Sequence, residues 1–369
     1  MKNPRDKIII TAIFLIVLFV FFTTVIFSEQ SFSLSAKSAV LYEPSTAEFL
    51  YSKNAQLRLP MASTTKIMTA LVAIENYDID KTVNISDEAI GIEGSSLYLK
   101  RGESMTMSDL LYALMLRSAN DAASAIAYEI SGGIDAFAEL MNEKASELGL
   151  CDTHFVNPHG LDSPLHYTTA KDLAVIAGAA LNNETFKKIV STKKITITNS
   201  DGESRLLVNH NKLLTFYDGA IGVKTGFTKK SGRCLVGAAE KDGLTLVSVT
   251  INAPDDWNDH QKLLNYGYSV LTSLKLASEN EFSYQIPVIG ANEKFITVSN
   301  PNKLSVVTER IDKIPEHEVL LPKYLAAPIK SGDVIGKIIF TLDGEFIGEV
   351  PLVAENDINK VKNKRFIIF

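Results

Sequence analysis

A serine that acts as a nucleophile needs a base within reach of its hydroxyl. Ser63-Thr64-Thr65-Lys66 offers one three residues away. On a helix, positions i and i+3 share a face, so a Ser63 at a helix start holds its Oγ near the Lys66 amine. The backbone N–H groups of that helix end favour developing negative charge. No histidine stands at a partner spacing, so the lysine must serve, and only its neutral form can. Burial or a neighbouring cation lowers a lysine's pKa into that role. Taken alone, Ser-x-x-Lys is common, and a capping Ser followed by a surface Lys explains most occurrences. Two further triplets change the weighing. Ser118-Ala119-Asn120 closes the helical run Leu110 to Leu116, and Lys224-Thr225-Gly226 lies on an expected strand. Each triplet is common, but the three in this order, each on such an element, are not.

The elements that must position these residues are legible in outline. Ser38 to Glu43, a turn at Pro44, and Ala47 to Tyr51 read as a β-hairpin. Thr65 to Glu75 carries Ile67, Met68, Leu71 and Ile74 at helical spacing. Residues 108–130, 134–148 and 168–182 read as largely helical, the last with Thr169 as a cap before Asp172. Strands return at Ile221 to Gly226. A hairpin follows, Arg233 to Ala239 and Leu244 to Ile251, joined by Lys241-Asp242-Gly243. A helix over about Asp256 to Leu274 closes this unit. From Phe282 on, short apolar runs alternate with turn residues such as Asn300-Pro301-Asn302 and Asp343-Gly344-Glu345. The expected fold class is α/β: an antiparallel sheet with helices and an α-rich lobe, followed by a small all-β domain.

The three triplets together resemble the signature of class A β-lactamases and penicillin-binding proteins. The likeness narrows to the low-molecular-mass penicillin-binding proteins, the D-alanyl-D-alanine carboxypeptidases. It runs from about Ser38 to the C-terminus. Leu57-Arg58-Leu59-Pro60-Met61-Ala62-Ser63-Thr64-Thr65-Lys66-Ile67-Met68-Thr69 is similar to that family's nucleophile segment. So are Phe155-Val156-Asn157-Pro158-His159-Gly160-Leu161 and Gly222-Val223-Lys224-Thr225-Gly226-Phe227-Thr228. Ala327 to Gly332 and Pro351 to Ala354 resemble its β-rich C-terminal domain, so the fold implied is β-lactamase/transpeptidase-like with that domain appended.

The resemblance implies roles. Ser63 would attack the carbonyl between two terminal D-alanines and form an acyl-enzyme, with Lys66 taking its proton. Ser118 would relay a proton to the leaving amine, and Asn120 would orient the substrate amide. Lys224 would place positive charge near the substrate carboxylate and help keep Lys66 neutral, and Thr225 would hydrogen-bond that carboxylate. Gly226 would let the substrate backbone lie along the strand, and the N–H groups of Ser63 and Phe227 would form the oxyanion hole. The partners implied are peptidoglycan stem peptides ending in D-Ala-D-Ala, with β-lactam antibiotics as covalent inhibitors.

Two departures bear on this. The middle motif is Ser-Ala-Asn instead of Ser-Asp-Asn, and there is no Glu-x-x-x-Asn segment of the β-lactamase deacylation type; both favour the carboxypeptidase over class A β-lactamase. Some relatives carry an arginine past the Lys-Thr-Gly strand, whereas Asp255 to His260 has none. Carboxylate capture is therefore expected to fall on Lys224 and Thr225. Hydrolysis of the terminal D-alanine during cell-wall synthesis and remodelling is the leading reading. DD-endopeptidase or transpeptidase activity on the same bond type is the enzymatic alternative. A catalytically silent wall-binding protein is a third, opposed by the intact signature residues.

Composition excludes other classes. The chain has 369 residues, 46% hydrophobic and 22% charged, with a formal net charge of -6. No basic field argues for nucleic acid. There is no Cys-x-x-Cys and no His-Glu-x-x-His, so neither a metal nor another cofactor is expected. Cys151 and Cys234 read as two buried thiols before they read as a disulfide. His159 reads as a turn or hydrogen-bonding residue, Trp257 as packing, and Lys229-Lys230 as a solvated turn.

Lys2, Arg5 and Lys7 precede an apolar run from Ile8 to Phe27. At about 1.5 Å per residue such a run spans a bilayer core, and its basic flank stays cytoplasmic. The expected organisation is a cytoplasmic N-terminus (1–7), a transmembrane anchor or signal segment (8–27), a linker (28–37), a catalytic domain (38–275) and a C-terminal β-rich domain (282–369). A retained anchor is favoured over cleavage, because the run exceeds the usual signal length and Lys364 to Phe369 is too short for the terminal amphipathic helix of some relatives. The catalytic domain is thus expected at the cell membrane, on its extracytoplasmic side.

Overall fold

The computed structural model describes residues 33–309 and 313–361. The segments expected at 1–7 and 8–27, the first part of the linker, and the closing stretch Lys364 to Phe369 lie outside the described residues. Among the described residues no helix is long and apolar enough to cross a membrane.

Ser38–Glu43 (β1) and Glu48–Lys53 (β2) form the hairpin expected around Pro44. Ala62–Thr65 is a 3₁₀ turn that runs on as the helix Lys66–Asn76 (α1). A short ribbon, Thr82–Asn84 (β3) with Ser104–Thr106 (β4), leads into Met107–Tyr112 (α2). A π turn over Ala113–Arg117 and a left-handed Ser118 separate α2 from Asn120–Ser131 (α3). Ile134–Glu147 (α4), Ala170–Leu181 (α5) and Glu184–Ser191 (α6) follow. Thr169 caps α5, its hydroxyl accepting from Asp172 N at 3.0 Å. A second ribbon pairs Lys194–Thr198 (β5) with Ser204–Val208 (β6), and Leu213–Phe216 (α7) leads to Ala220–Thr228 (β7), Gly232–Lys241 (β8), Leu244–Ile251 (β9) and Asp256–Val270 (α8).

The main sheet has the order β2-β1-β9-β8-β7, antiparallel throughout. Adjacent strand residues face opposite ways, and β1 shows it. A Cβ added at Gly178 in α5 would meet Tyr42 at 3.0 Å, while one at Gly267 in α8 would meet Leu41 at 2.8 Å. The two helices therefore clamp the sheet from opposite sides, each through a glycine that lets it come close. Val40, Tyr42, Val236 and Val249 share one continuous core with the buried faces of α1, α3 and α5. That core fixes β7 beside the 3₁₀ turn, which is the junction the chemistry needs.

The helix expected to reach Leu274 stops at Val270. Leu271–Ala277 (β10) is instead a strand paired with Leu304–Glu309 (β13). The reason is long-range: Leu274 lies opposite Val306, and Leu276 is buried in the second core. The remaining strands are Ser283–Ile289 (β11), Phe295–Ser299 (β12), Glu316–Leu320 (β14), Leu325–Ala326 (β15), Val334–Leu342 (β16) and Glu345–Ala354 (β17). They form a sheet in the order β14-β16-β17-β12-β11-β15. Alternating apolar residues, Ile286 and Val288 on β11 and Ile338 and Phe340 on β16, close its core.

Candidate active site

Ser63 sits inside the 3₁₀ turn, which its own side chains brace. Thr64 Oγ1 donates to Met61 O at 2.6 Å, and Thr65 Oγ1 donates to Ala62 O at 2.8 Å. Ala62 itself is left-handed at φ 49°, a strained conformation one residue before the hydroxyl.

Lys66 begins α1 and is wholly buried. Its Nζ lies 3.0 Å from Ser63 Oγ and 2.7 Å from Asn120 Oδ1, and it also bonds His159 O. None of these partners is a carboxylate. The latter two carry no hydrogen and can only accept. A neutral amine has two N–H groups and one lone pair. If the two N–H groups serve Asn120 and His159, the lone pair faces the Ser63 hydroxyl. Burial, reinforced by the charge of Lys224, pushes the Lys66 pKa well below the ordinary lysine value, and Asp121 pulls weakly the other way.

Lys224 on β7 is buried as well, and desolvation alone lowers its pKa to about 7. The two amines are not equivalent. The charge of Lys224 adds to burial in lowering Lys66, whereas burial is the cause of the shift at Lys224.

Ser118 reaches the site through the π turn, a device often found at functional positions. It is left-handed (φ 62°, ψ 31°) and almost fully buried. The helix expected over 108–130 is thus broken at the residue that sequence reasoning singled out. Asn120 opens α3, and its Nδ2 donates to Glu93 O. Asp121 beside it binds the amides of Leu97 and Leu99 at 2.9 and 3.0 Å, fastening the loop that carries Ser95.

These groups converge on a cleft of about 650 Å³. Ser63, Ser95 and Ser118 line one side, and Thr225, Gly226 and Phe227 of β7 line another. Lys66, Lys224 and Asn120 are buried behind this surface. Gly226 has a reason of its own. An added Cβ would stand 3.1 Å from Ser63 N and 3.2 Å from Thr64 N, so the strand lies directly on the nucleophile turn.

The rest of the wall was not read from the sequence. Arg233 and Trp257 line the cleft with His210 and Lys212. Arg233 Nη2 donates to Asp256 Oδ1 at 2.9 Å, and its guanidinium lies 5.9 Å from the Trp257 ring centre. The expectation that carboxylate capture would fall on Lys224 and Thr225 thus meets a third group and a second cation: an arginine reaches the cleft from β8, not from the segment after β9. The signal was available, since a tight β7–β8 turn pairs Phe227 with Arg233. Trp257, expected as packing, is a cleft residue. Lys229 and Lys230 form the solvated turn expected.

The other chemistry-bearing residues are structural. His260 is buried between Ser248 Oγ and Thr250 Oγ1, and burial pushes its pKa to about 3. Both cysteines are free. Cys234 is buried as expected, but Cys151 is exposed because the turn after α4 faces solvent. Among the described residues no group of His, Cys, Asp or Glu gathers as metal ligands.

The sequence profile of the D-alanyl-D-alanine carboxypeptidase family (peptidase S11) matches residues 25–255, and that of the penicillin-binding protein 5 C-terminal domain matches residues 272–360. The chain belongs to this family. It is a serine-type D-Ala-D-Ala carboxypeptidase with a transpeptidase-like α/β domain and the β-rich C-terminal domain, as the sequence resemblance implied. The carboxypeptidase DacF of Bacillus subtilis is 35% identical over 88% of this chain and 86% of its own. DacA of Escherichia coli is 31% identical over 88% and 84%. Among solved structures, penicillin-binding protein 5 of Haemophilus influenzae superposes with a TM-score of 0.65 at 27% identity, covering 90% of this chain and 99% of its own. The Streptomyces K15 DD-transpeptidase gives 0.62 at 34%, covering 65% and 100%. Apart from Leu271, the β10–β13 ribbon falls inside the second profile, consistent with its place in the C-terminal core.

Proposed function

We propose that this carboxypeptidase removes the terminal D-alanine from peptidoglycan pentapeptides through an acyl-enzyme on Ser63. One observation carries the reading: a buried lysine amine with only neutral partners lies 3.0 Å from a serine hydroxyl that lines a cleft. Neutral Lys66 takes the Ser63 proton as Oγ bonds to the D-Ala carbonyl carbon. The oxyanion forms where β7 lies on the nucleophile turn, at the Ser63 and Phe227 N–H groups. Ser118 passes the proton to the departing amine nitrogen, the peptide bond breaks and D-alanine leaves. Water then attacks the ester and restores Ser63. Asn120 holds both Lys66 and the substrate amide.

Full-length chain in detergent, incubated with a pentapeptide, is expected to release free D-alanine and to label with a fluorescent penicillin. Ser63→Ala is expected to lose both. No labelling of the wild-type chain would sink the enzyme reading, and labelling that survives Ser63→Ala would sink the choice of nucleophile. Adding an amine acceptor distinguishes hydrolysis from transfer, because only transfer diverts product into a new peptide.

The substrate's terminal carboxylate falls to Lys224, Thr225 and Arg233. An approaching carboxylate favours the charged form of Lys224, so substrate itself supplies what desolvation removes. Losing one charge-assisted hydrogen bond costs about 1.5–3 kcal/mol. Arg233→Gln is therefore expected to lower kcat/KM for the pentapeptide by about 10–100-fold. It should also narrow the preference for the free acid over the C-terminal amide. An unchanged acid-to-amide ratio in the variant would remove Arg233 from carboxylate capture.

We also place the catalytic domain outside the cell membrane, held by residues 8–27. The apolar run behind Lys2, Arg5 and Lys7 supports this. Membrane-bound protein with an intact N-terminus is the expected finding, and a mature chain starting after residue 27 would contradict it.

A further inference from the structure

The loop between α4 and α5 touches the nucleophile region at several points. Thr69 Oγ1 donates to Pro158 O at 2.6 Å, Lys66 Nζ bonds His159 O, and Gly160 lies against Ala62. One side chain joins this loop to the turn itself. His166, at the far end of the loop, is almost completely buried and packs edge-on to Phe155.

Its tautomer is decided by its neighbours. The backbone N–H of Val156 points at His166 Nδ1 from 3.1 Å, and an N–H can only donate, so Nδ1 carries no proton. The proton is on Nε2, which donates to Thr65 Oγ1 at 2.8 Å. Thr65 Oγ1 in turn gives its proton to Ala62 O at 2.8 Å. A single line of hydrogen bonds thus runs from Val156, three residues before His159, to Ala62, the residue before Ser63. Every donor and acceptor on it has one assignment. Burial holds the imidazole pKa down at about 4, so this state persists through neutral pH.

We propose that His166 is a positioning residue for acylation: as a neutral imidazole of fixed tautomer, it locks the loop that supplies His159 O to the turn that carries Ser63. The lock sets the separation of Lys66 Nζ from Ser63 Oγ and keeps water from the amine. The inference rests on the reading of Ser63 as nucleophile and Lys66 as base. The charged groups acting on Lys66 are Lys224 from β7 and Asp121 from α3. His154 and Lys66 are the charged groups that bear directly on His166; the imidazole is neutral and puts no net charge on Lys66, so a change there reaches Lys66 through the loop.

The test is the rate of acylation by a fluorescent penicillin across pH, on the full-length chain, with a melting curve for each variant. His166→Ala breaks both links. It is expected to slow acylation about 10–100-fold, the scale of an ångström-sized misplacement. It should also move the acid limb of the profile to higher pH, because a wetter Lys66 holds its proton more strongly. His166→Gln offers an amide N–H where Nε2 stood and is expected to restore the Thr65 link, recovering most of the rate and the position of the limb. His166→Asn offers an oxygen near the Nδ1 position only and is expected to recover less. An acid limb that stays in place in all three variants, while rate falls only in step with melting temperature, overturns the proposal. So does wild-type acylation by His166→Ala. If His166→Ala does not fold, the order of Gln over Asn decides, and equal rates in the two overturn it. Ser63→Ala in the same assay separates the two readings: label persisting there overturns the nucleophile, whatever the His166 variants do.

Discussion

Lys66→Arg is expected to slow acylation by at least about 1,000-fold, within the range that a positioned general base contributes. A guanidinium does not give up its proton at any pH a protein survives, so the group can neither offer a lone pair nor take the Ser63 proton. The three oxygens around Lys66 Nζ sharpen the expectation. A cation there could still satisfy Asn120 Oδ1 and His159 O, so the change removes chemistry more than it removes hydrogen bonds. The wild-type profile follows from the same geometry. Because the folded-state pKa of Lys66 is depressed, its neutral form exists above that value, and acylation is lost as pH falls through it. The arginine variant has no such limb to show. Stopped-flow labelling and a melting curve check both points together. Acylation within about tenfold of wild type, in a folded variant, would contradict the role of Lys66 as base.

What could be read from the sequence divides along a physical line. The contact between Ser63 and Lys66 is local, fixed by one turn of helix, and spacing is enough to state it. The contact between Lys66 and Asn120 joins distant segments, and no periodicity reveals it. The order of three motifs brought Asn120 to the site, with a role toward the substrate amide, and the structure adds its bond to Lys66. Arg233 lies outside the segment after β9 where an arginine is expected, because the hairpin register folds the residue just past the turn back beside Phe227. The β5–β6 ribbon was missed although Ile195 and Ile197 alternate and Asn199 to Gly202 is turn-like; the helices around it set the tone for that region. The end of α8 was misplaced because Leu271 to Ala277 suits either a helix or a strand, and pairing with β13 decides it. Asp121 and His166 act through buried partners contributed by other segments, and their roles appear only once those segments meet.

Gly160→Ala is expected to damage the site more than any other single methyl group added to the chain. Two effects coincide there. The residue is left-handed at φ +88°, which by itself costs an L-residue about 1–2 kcal/mol. The new Cβ would also stand 2.0 Å from Ala62 O and 3.0 Å from Ser63 N. Those are backbone atoms, so no rotamer change relieves the overlap. Either the loop withdraws, taking His159 O from Lys66 Nζ, or the turn withdraws, moving Ser63. Both separate base from nucleophile, and a displacement of about an ångström is worth about 100-fold in rate. The loss of stability should fall near the upper end for point substitutions, about 4 kcal/mol. Gly202→Ala supplies the comparison. It lies in the β5–β6 turn at φ +80° with open space where the Cβ would go. It is expected to show the left-handed penalty alone and to label at the wild-type rate. Melting curves and labelling rates for the two variants separate strain from collision. A Gly160→Ala chain that labels as fast as wild type would mean that the loop does not hold the nucleophile turn in place.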